Sequence, residues 1–188
     1  MTTSDFLATK IGHGFDRLDA DGDGRLTEND HVVAGQRIAA FLGYALGAPA
    51  ERKIIDAYLK IWRELHLPYV PGGETAITRE RFVESTRTLA DDPAAARATV
   101  GALAETFVSL VDSDGDGRIS PDEYLVFLRG HVPDLTENEA AEAFAHLDRD
   151  GDRSLTAEEF IDAIIEFWTS ADPEAPGNWW MGRPPTAG

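Results

Sequence analysis

Apolar residues fall in pairs just before each of three acid-rich runs: Phe15 and Leu18, Val108 and Val111, Phe144 and Leu147. A spacing of three puts both members on one face of the last turn of a helix. One further apolar residue sits near the end of each run (Leu26, Ile119 and Leu155), and a second amphipathic stretch follows. The three segments FDRLDADGDGRLTEND, VSLVDSDGDGRISPDE and FAHLDRDGDRSLTAEE therefore align without a gap as repeats of one helix–loop–helix unit.

Helix starts are well marked. Asp92-Pro93 and Ser120-Pro121 read as an N-cap followed by a first-turn proline. Thr136 with Glu139, and Thr156 with Glu159, have the spacing of capping boxes. Pro49 opens a helix whose apolar side carries Ile54, Ile55, Tyr58, Leu59, Trp62 and Leu65. A fourth unit is needed between the first and second repeats, because a lone unit leaves its loop without a partner. Ile77 fills the apolar loop position and Phe82 begins the exit helix. Counting back, the polar loop positions become Val70, Gly72, Glu74 and finally Arg81. The expected fold class is all-α: four units in two pairs forming one compact globule, with short β contacts between paired loops. Residues 1–90 make the first pair, and residues 91–188 make the second pair with a C-terminal tail.

The composition narrows the function. The chain has 188 residues, of which 43% are hydrophobic, so it can bury a core. Its formal net charge is −17, which repels nucleic acid and anionic membranes and attracts cations. Without cysteine there are no disulfides, thiolate metal sites or cysteine nucleophiles. The first ten residues, MTTSDFLATK, do not read as a secretion signal, and no uninterrupted apolar run is long enough to span a bilayer. The expected location is the cytoplasm. Arginine outnumbers lysine 14 to 3, a bias associated with GC-rich bacterial genes.

The acids are placed for a hard cation. Calcium takes six to eight oxygens at about 2.3–2.6 Å, so a flexible loop must turn several carboxylates inward. The pattern D-x-D-x-D-G-x5-E resembles the EF-hand calcium loop. Each loop supplies side chains at positions one, three and five, a backbone carbonyl at seven, a water held at nine and a carboxylate pair at twelve. The third unit matches throughout: Asp112, Asp114, Asp116, Gly117, Arg118 by its carbonyl, Ser120 at the water position and Glu123. The Arg118 guanidinium is expected to point to solvent. The fourth has Asp148, Asp150, Asp152, Ser154 by its carbonyl, Thr156 and Glu159, but Arg153 replaces the turn glycine. The first has Asp19, Asp21, Asp23, Gly24, Arg25 by its carbonyl and Thr27, and closes on Asp30 instead of glutamate. Aspartate is one methylene shorter, so a two-oxygen grip requires the exit helix to move in. One-oxygen closure lowers the coordination toward six, which suits magnesium. Three Ca2+ sites are expected, with Mg2+ competing at the first. Arg81 would close the second loop with a cation, so that loop is expected to be metal-free and structural.

Four units with a silent second one, and the ending EFWTSADPEAPGNW, resemble sarcoplasmic calcium-binding proteins and their bacterial calerythrin-like relatives. The resemblance covers nearly the whole chain and implies a monomeric calcium buffer or transporter that is not an enzyme. A calcium sensor is the first alternative. Sensors of that type expose a pliable methionine-rich groove, whereas only Met1 and Met181 are present here. The second alternative is a small-molecule binder akin to the luciferin-binding photoproteins. That family places a histidine four residues before the tryptophan of a late Phe-Trp pair. Here the pair is Phe167-Trp168 and the position holds Ile164; Leu7 and Ile11 replace the aromatic and histidine positions of the first helix. The resemblance therefore implies no light emission.

His13, His31, His66, His131 and His146 share no metal-ligand spacing and are expected to be solvated or capping. Trp62 and Trp168 fall on apolar helix faces and are assigned to the core. Trp179, Trp180 and Met181 lie in a tail expected to fold back on that core.

Overall fold

A computed structural model describes residues 3–184. Helices α1 (Thr3–Leu18) and α2 (Glu28–Phe41) flank the first loop, and α3 (Pro49–Ile61) and α4 (Arg79–Arg87) the second. Helices α5 (Pro93–Val111) and α6 (Pro121–His131) flank the third loop. The fourth lies between α7 (Glu137–Leu147) and α8 (Ala157–Thr169). Helix α3 runs on through a wider π turn at Trp62–His66, and α5 contains another at Arg97–Gly101. Strand β1 (Arg25–Thr27) pairs antiparallel with β2 (Ala76–Thr78), setting Leu26 opposite Ile77. Strand β3 (Arg118–Ile119) pairs with β4 (Leu155–Thr156), setting Ile119 opposite Leu155. The silent loop is thus the partner of the first, in the register its apolar position predicts.

The helices start where their caps place them. Asp92 Oδ1 accepts from Ala95 N at 2.9 Å ahead of Pro93. Thr136 with Glu139 and Thr156 with Glu159 form reciprocal capping boxes. Thr27 with Asp30 and Ser120 with Glu123 form two more. Those two boxes join the cap to the loop, since the closing carboxylate is also the third residue of the helix.

The two pairs interlock. Helix α2 packs on both α3 and α6, α1 on α4 and α8, and α5 on α3 and α8. One hydrophobic cluster runs through both halves. Phe107 stands at the junction, edge-on to Tyr58 at 6.2 Å and to Phe127 at 4.9 Å. Across the same junction Arg37 Nε donates to the Gly130 carbonyl at 3.0 Å. By length and a mean hydropathy of 1.3, α5 is apolar enough to cross a membrane. Here it is a core helix: Val100, Ala104, Phe107 and Val111 are buried within the protein.

The tail folds back as expected. A 3-10 turn at Pro176–Trp179 lies against α7 and α8, with Trp180 and Met181 buried. Trp179 stacks on His146 with ring centroids 3.9 Å apart. Lys10, wholly buried on α1, donates to Asn178 Oδ1 at 2.5 Å and to the Ser170 carbonyl at 2.8 Å. Burial pulls the Lys10 ammonium down to about 8, opposed by Glu166 and Asp172.

Candidate metal centres

Each acid-rich loop winds around its first aspartate. Asp112 Oδ1 accepts from Gly115 N at 2.8 Å and Oδ2 from Gly117 N at 3.0 Å. Asp19 does the same with Gly22 and Gly24, and Asp148 with Gly151 and Arg153. The position-five carboxylates Asp23, Asp116 and Asp152 each accept the N–H two residues on, at 2.8–2.9 Å. The winding brings three carboxylates of each loop together and leaves the position-five acids outside the group. The result is three groups: Asp19, Asp21 and Asp30; Asp112, Asp114 and Glu123; Asp148, Asp150 and Glu159. Within each group, one oxygen per residue lies within 4.8 Å of the others. All the donors are hard oxygens on short loops, which fits a calcium-sized ion. No comparable group forms at the second loop among the described residues.

The closing residue is anchored at both ends. Glu123 Oε2 accepts from Ser120 N at 2.9 Å and Oγ at 2.8 Å, and Oε1 accepts from Ser113 N at 2.7 Å. Burial works against its charge, but these donors prevail and hold it at about 2. Asp30 reproduces the arrangement with a shorter arm. Its Oδ2 accepts from Thr27 N at 2.8 Å, and its Oδ1 lies 3.4 Å from Ala20 N, close to the 3.3 Å between Glu159 and Arg149 N. Asp30 is buried whereas Glu123 and Glu159 are half-buried. Despite the missing methylene, Asp30 makes the same cap and loop contacts as the glutamates. The Ser120 hydroxyl also caps Glu123, as Thr27 caps Asp30 and Thr156 caps Glu159.

Arg153 has φ = 70°, the single non-glycine residue at positive φ among the described residues. It thus adopts the left-handed turn that Gly24 and Gly117 adopt at φ = 79° and 84°. The expectation for Arg118 holds in part. Its guanidinium is exposed as expected but not free: it also donates to Asp152 Oδ2 at 2.6 Å and Ser154 Oγ at 2.8 Å in the paired loop.

Residues 102–165 match the model of an EF-hand domain pair, and residues 11–29 match that of an EF hand. The chain is 31% identical to a sarcoplasmic calcium-binding protein of Perinereis vancaurica tetradentata, across 70% of this chain and 74% of the relative. It belongs to the sarcoplasmic calcium-binding protein family. Calerythrin from Saccharopolyspora erythraea is 28% identical over 89% of this chain and 94% of the relative. The fold is shared with the coelenterazine-binding protein of Renilla muelleri, at a TM-score of 0.69 and 23% identity, over 97% and 99% of the two chains. Members of this family bind calcium and are not enzymes, and this chain is one of them.

This sarcoplasmic-type protein also holds a feature that spacing did not reveal. His31, His66 and His131 are neither solvated nor simple caps. All three are buried and line one internal cavity of about 40 Å3. His31 Nδ1 lies 2.9 Å from the Thr27 carbonyl, and His131 Nε2 lies 3.2 Å from Tyr58 Oη. Burial lowers the basicity of each ring, bringing His131 to about 3. Four buried side-chain atoms have no partner within the protein among the described residues: Arg17 Nε, His31 Nε2, Thr86 Oγ1 and Trp180 Nε1. All four belong to residues lining this cavity. Helical periodicity carried the missed signal: His31 shares a face with Ala34 and Ile38, and His131 with Tyr124 and Phe127.

Proposed function

We propose that loops one, three and four each bind one calcium ion and that the protein buffers or transports calcium in the cytoplasm as a monomer. The observation that carries this reading is the convergence of three carboxylate groups, each on a loop closed by a helix-capping acid. The ligands are Asp19, Asp21, Asp23, the Arg25 carbonyl and Asp30 in loop one. In loop three they are Asp112, Asp114, Asp116, the Arg118 carbonyl and Glu123. In loop four they are Asp148, Asp150, Asp152, the Ser154 carbonyl and Glu159. Three ions would bring the formal charge from −17 to −11. A buffering role over a sensing one is supported by the core. Its large side chains are mainly Phe, Ile, Leu and Trp, and the tail occupies the space beside α7 and α8. Calcium titration by calorimetry, with and without millimolar magnesium, tests the stoichiometry and the selectivity of loop one. A large calcium-induced rise in hydrophobic-dye fluorescence would overturn the buffer reading in favour of a sensor.

One observation favours a second reading, a small-molecule binder. The cavity gathers four unpartnered polar atoms, and a buried polar group without a hydrogen bond costs about 1–3 kcal/mol. Its 40 Å3 suits one water of about 30 Å3, so a larger occupant requires lining side chains such as Trp180 and Met181 to move. Titration with coelenterazine, followed by tryptophan fluorescence, tests this reading. An unchanged spectrum at saturating ligand would count against it.

A further inference from the structure

The two loop pairs share a contact that neither the metal pattern nor the helix packing requires. In each pair an arginine at the seventh position of one loop reaches the acid at the fifth position of the other. Arg118 of loop three donates to Asp152 of loop four, and Arg25 of loop one pairs with Glu74 of loop two. Counting back from Ile77, Glu74 occupies the same place in the silent loop that Asp152 occupies in loop four. The β pairing explains the reach: Arg25 stands opposite Thr78 and Arg118 opposite Thr156, so each side chain crosses to the neighbouring loop.

The two acids differ in what else they must do. Glu74 lies in a loop with no carboxylate group for a metal, so Arg25 can neutralise it permanently. Asp152 is a calcium ligand on the reading above, and both its oxygens are committed. Its Oδ1 accepts from Ser154 N and Oγ, at 2.9 and 2.8 Å. Its Oδ2 is held by Arg118. The position-five acids Asp23 and Asp116 carry no such cross-loop pair among the contacts seen. We infer that these arginines are built-in counter-cations for the paired loop, permanent at Glu74 and displaceable at Asp152. An ion entering loop four competes with Arg118 for Asp152 Oδ2, so that loop is weakened by a residue whose own carbonyl serves loop three.

The inference rests on calcium binding at loop four, and the test separates the two. Calorimetric titration of the full chain would compare Arg118→Gln with Arg149→Gln. The latter removes the same charge from the second position of loop four, where Arg149 pairs with Glu166 at 3.1 Å and with no ligand. Removing Arg118 should raise the affinity of one C-terminal site about two- to fivefold, the scale of an exposed ion pair. Arg149→Gln should change it by less than about twofold. Equal gains in both variants, or no gain in Arg118→Gln, would overturn the inference by reducing Arg118 to a diffuse surface charge. A second readout is the Arg118 Nε–H resonance: the part of its shift that tracks filling of loop four in the native chain should be missing in Glu159→Gln, where only the loop-three shift remains. If that part is absent from the native chain with loop four saturated, the displacement is overturned. Absence of any heat assignable to loop four overturns the metal reading instead.

Discussion

At the scale of single residues, loops one and four depart from the EF-hand pattern, yet both keep the wound loop and its closing contacts. Arg153 stands at φ = 70°, where a side chain costs about 1–2 kcal/mol relative to glycine. If that strain is felt mainly in the wound loop, Arg153→Gly should tighten loop four by up to about tenfold by calorimetry. Unchanged affinity would remove strain as the explanation. Asp30 keeps the capping and loop contacts of the longer residue. Asp30→Glu should restore calcium-over-magnesium selectivity in loop one, seen as loss of the magnesium effect on its titration. These positions were legible in the sequence because metal coordination ties residue type to loop position. The Arg118 contact was not, since a guanidinium's destination depends on which loop lies opposite and in what register.

At the scale of elements, the capping boxes, the silent loop's pairing and the returning tail follow from local signals. The reason the tail returns is tertiary. Lys10 on α1 binds Asn178 and the end of α8 while Trp180 fills the core, so three distant segments depend on one another. Deleting residues after Asp172 would remove the Asn178 partner of the buried Lys10 ammonium and uncover the cavity wall. A loss of about 3 kcal/mol or more is expected, on the scale of removing a buried tryptophan. Urea unfolding of the truncated and intact chains checks this; equal midpoints would contradict it. His31 and His131 belong to this same scale: their helical periodicity places them on the apolar faces of their helices, and they face inward.

At the scale of the whole molecule, charge and protonation set the conditions for stability. His66 and His131 are buried and neutral, with basicity depressed by burial, so the unfolded chain binds more protons than the folded one below about pH 6.5. Stability should therefore fall as pH drops from 6.5 toward 5, by up to about 1.4 kcal/mol per pH unit for each such ring. Thermal melts of the metal-free protein should show this slope, and His131→Gln should make it shallower. Calcium should raise the melting temperature because it binds the folded loops and relieves carboxylate repulsion. A melt unaffected by chelator would refute that coupling. The sequence by itself determined the repeat, the loop chemistry and the pairing of the silent loop, because each depends on spacing within a few turns of chain. Only the tertiary structure decided that the two pairs share one core, that three histidines and four unpartnered polar atoms meet at one cavity, and that Arg118 reaches Asp152. Those juxtapositions join residues tens of positions apart, and no local periodicity records which helix faces meet when the apolar surfaces close.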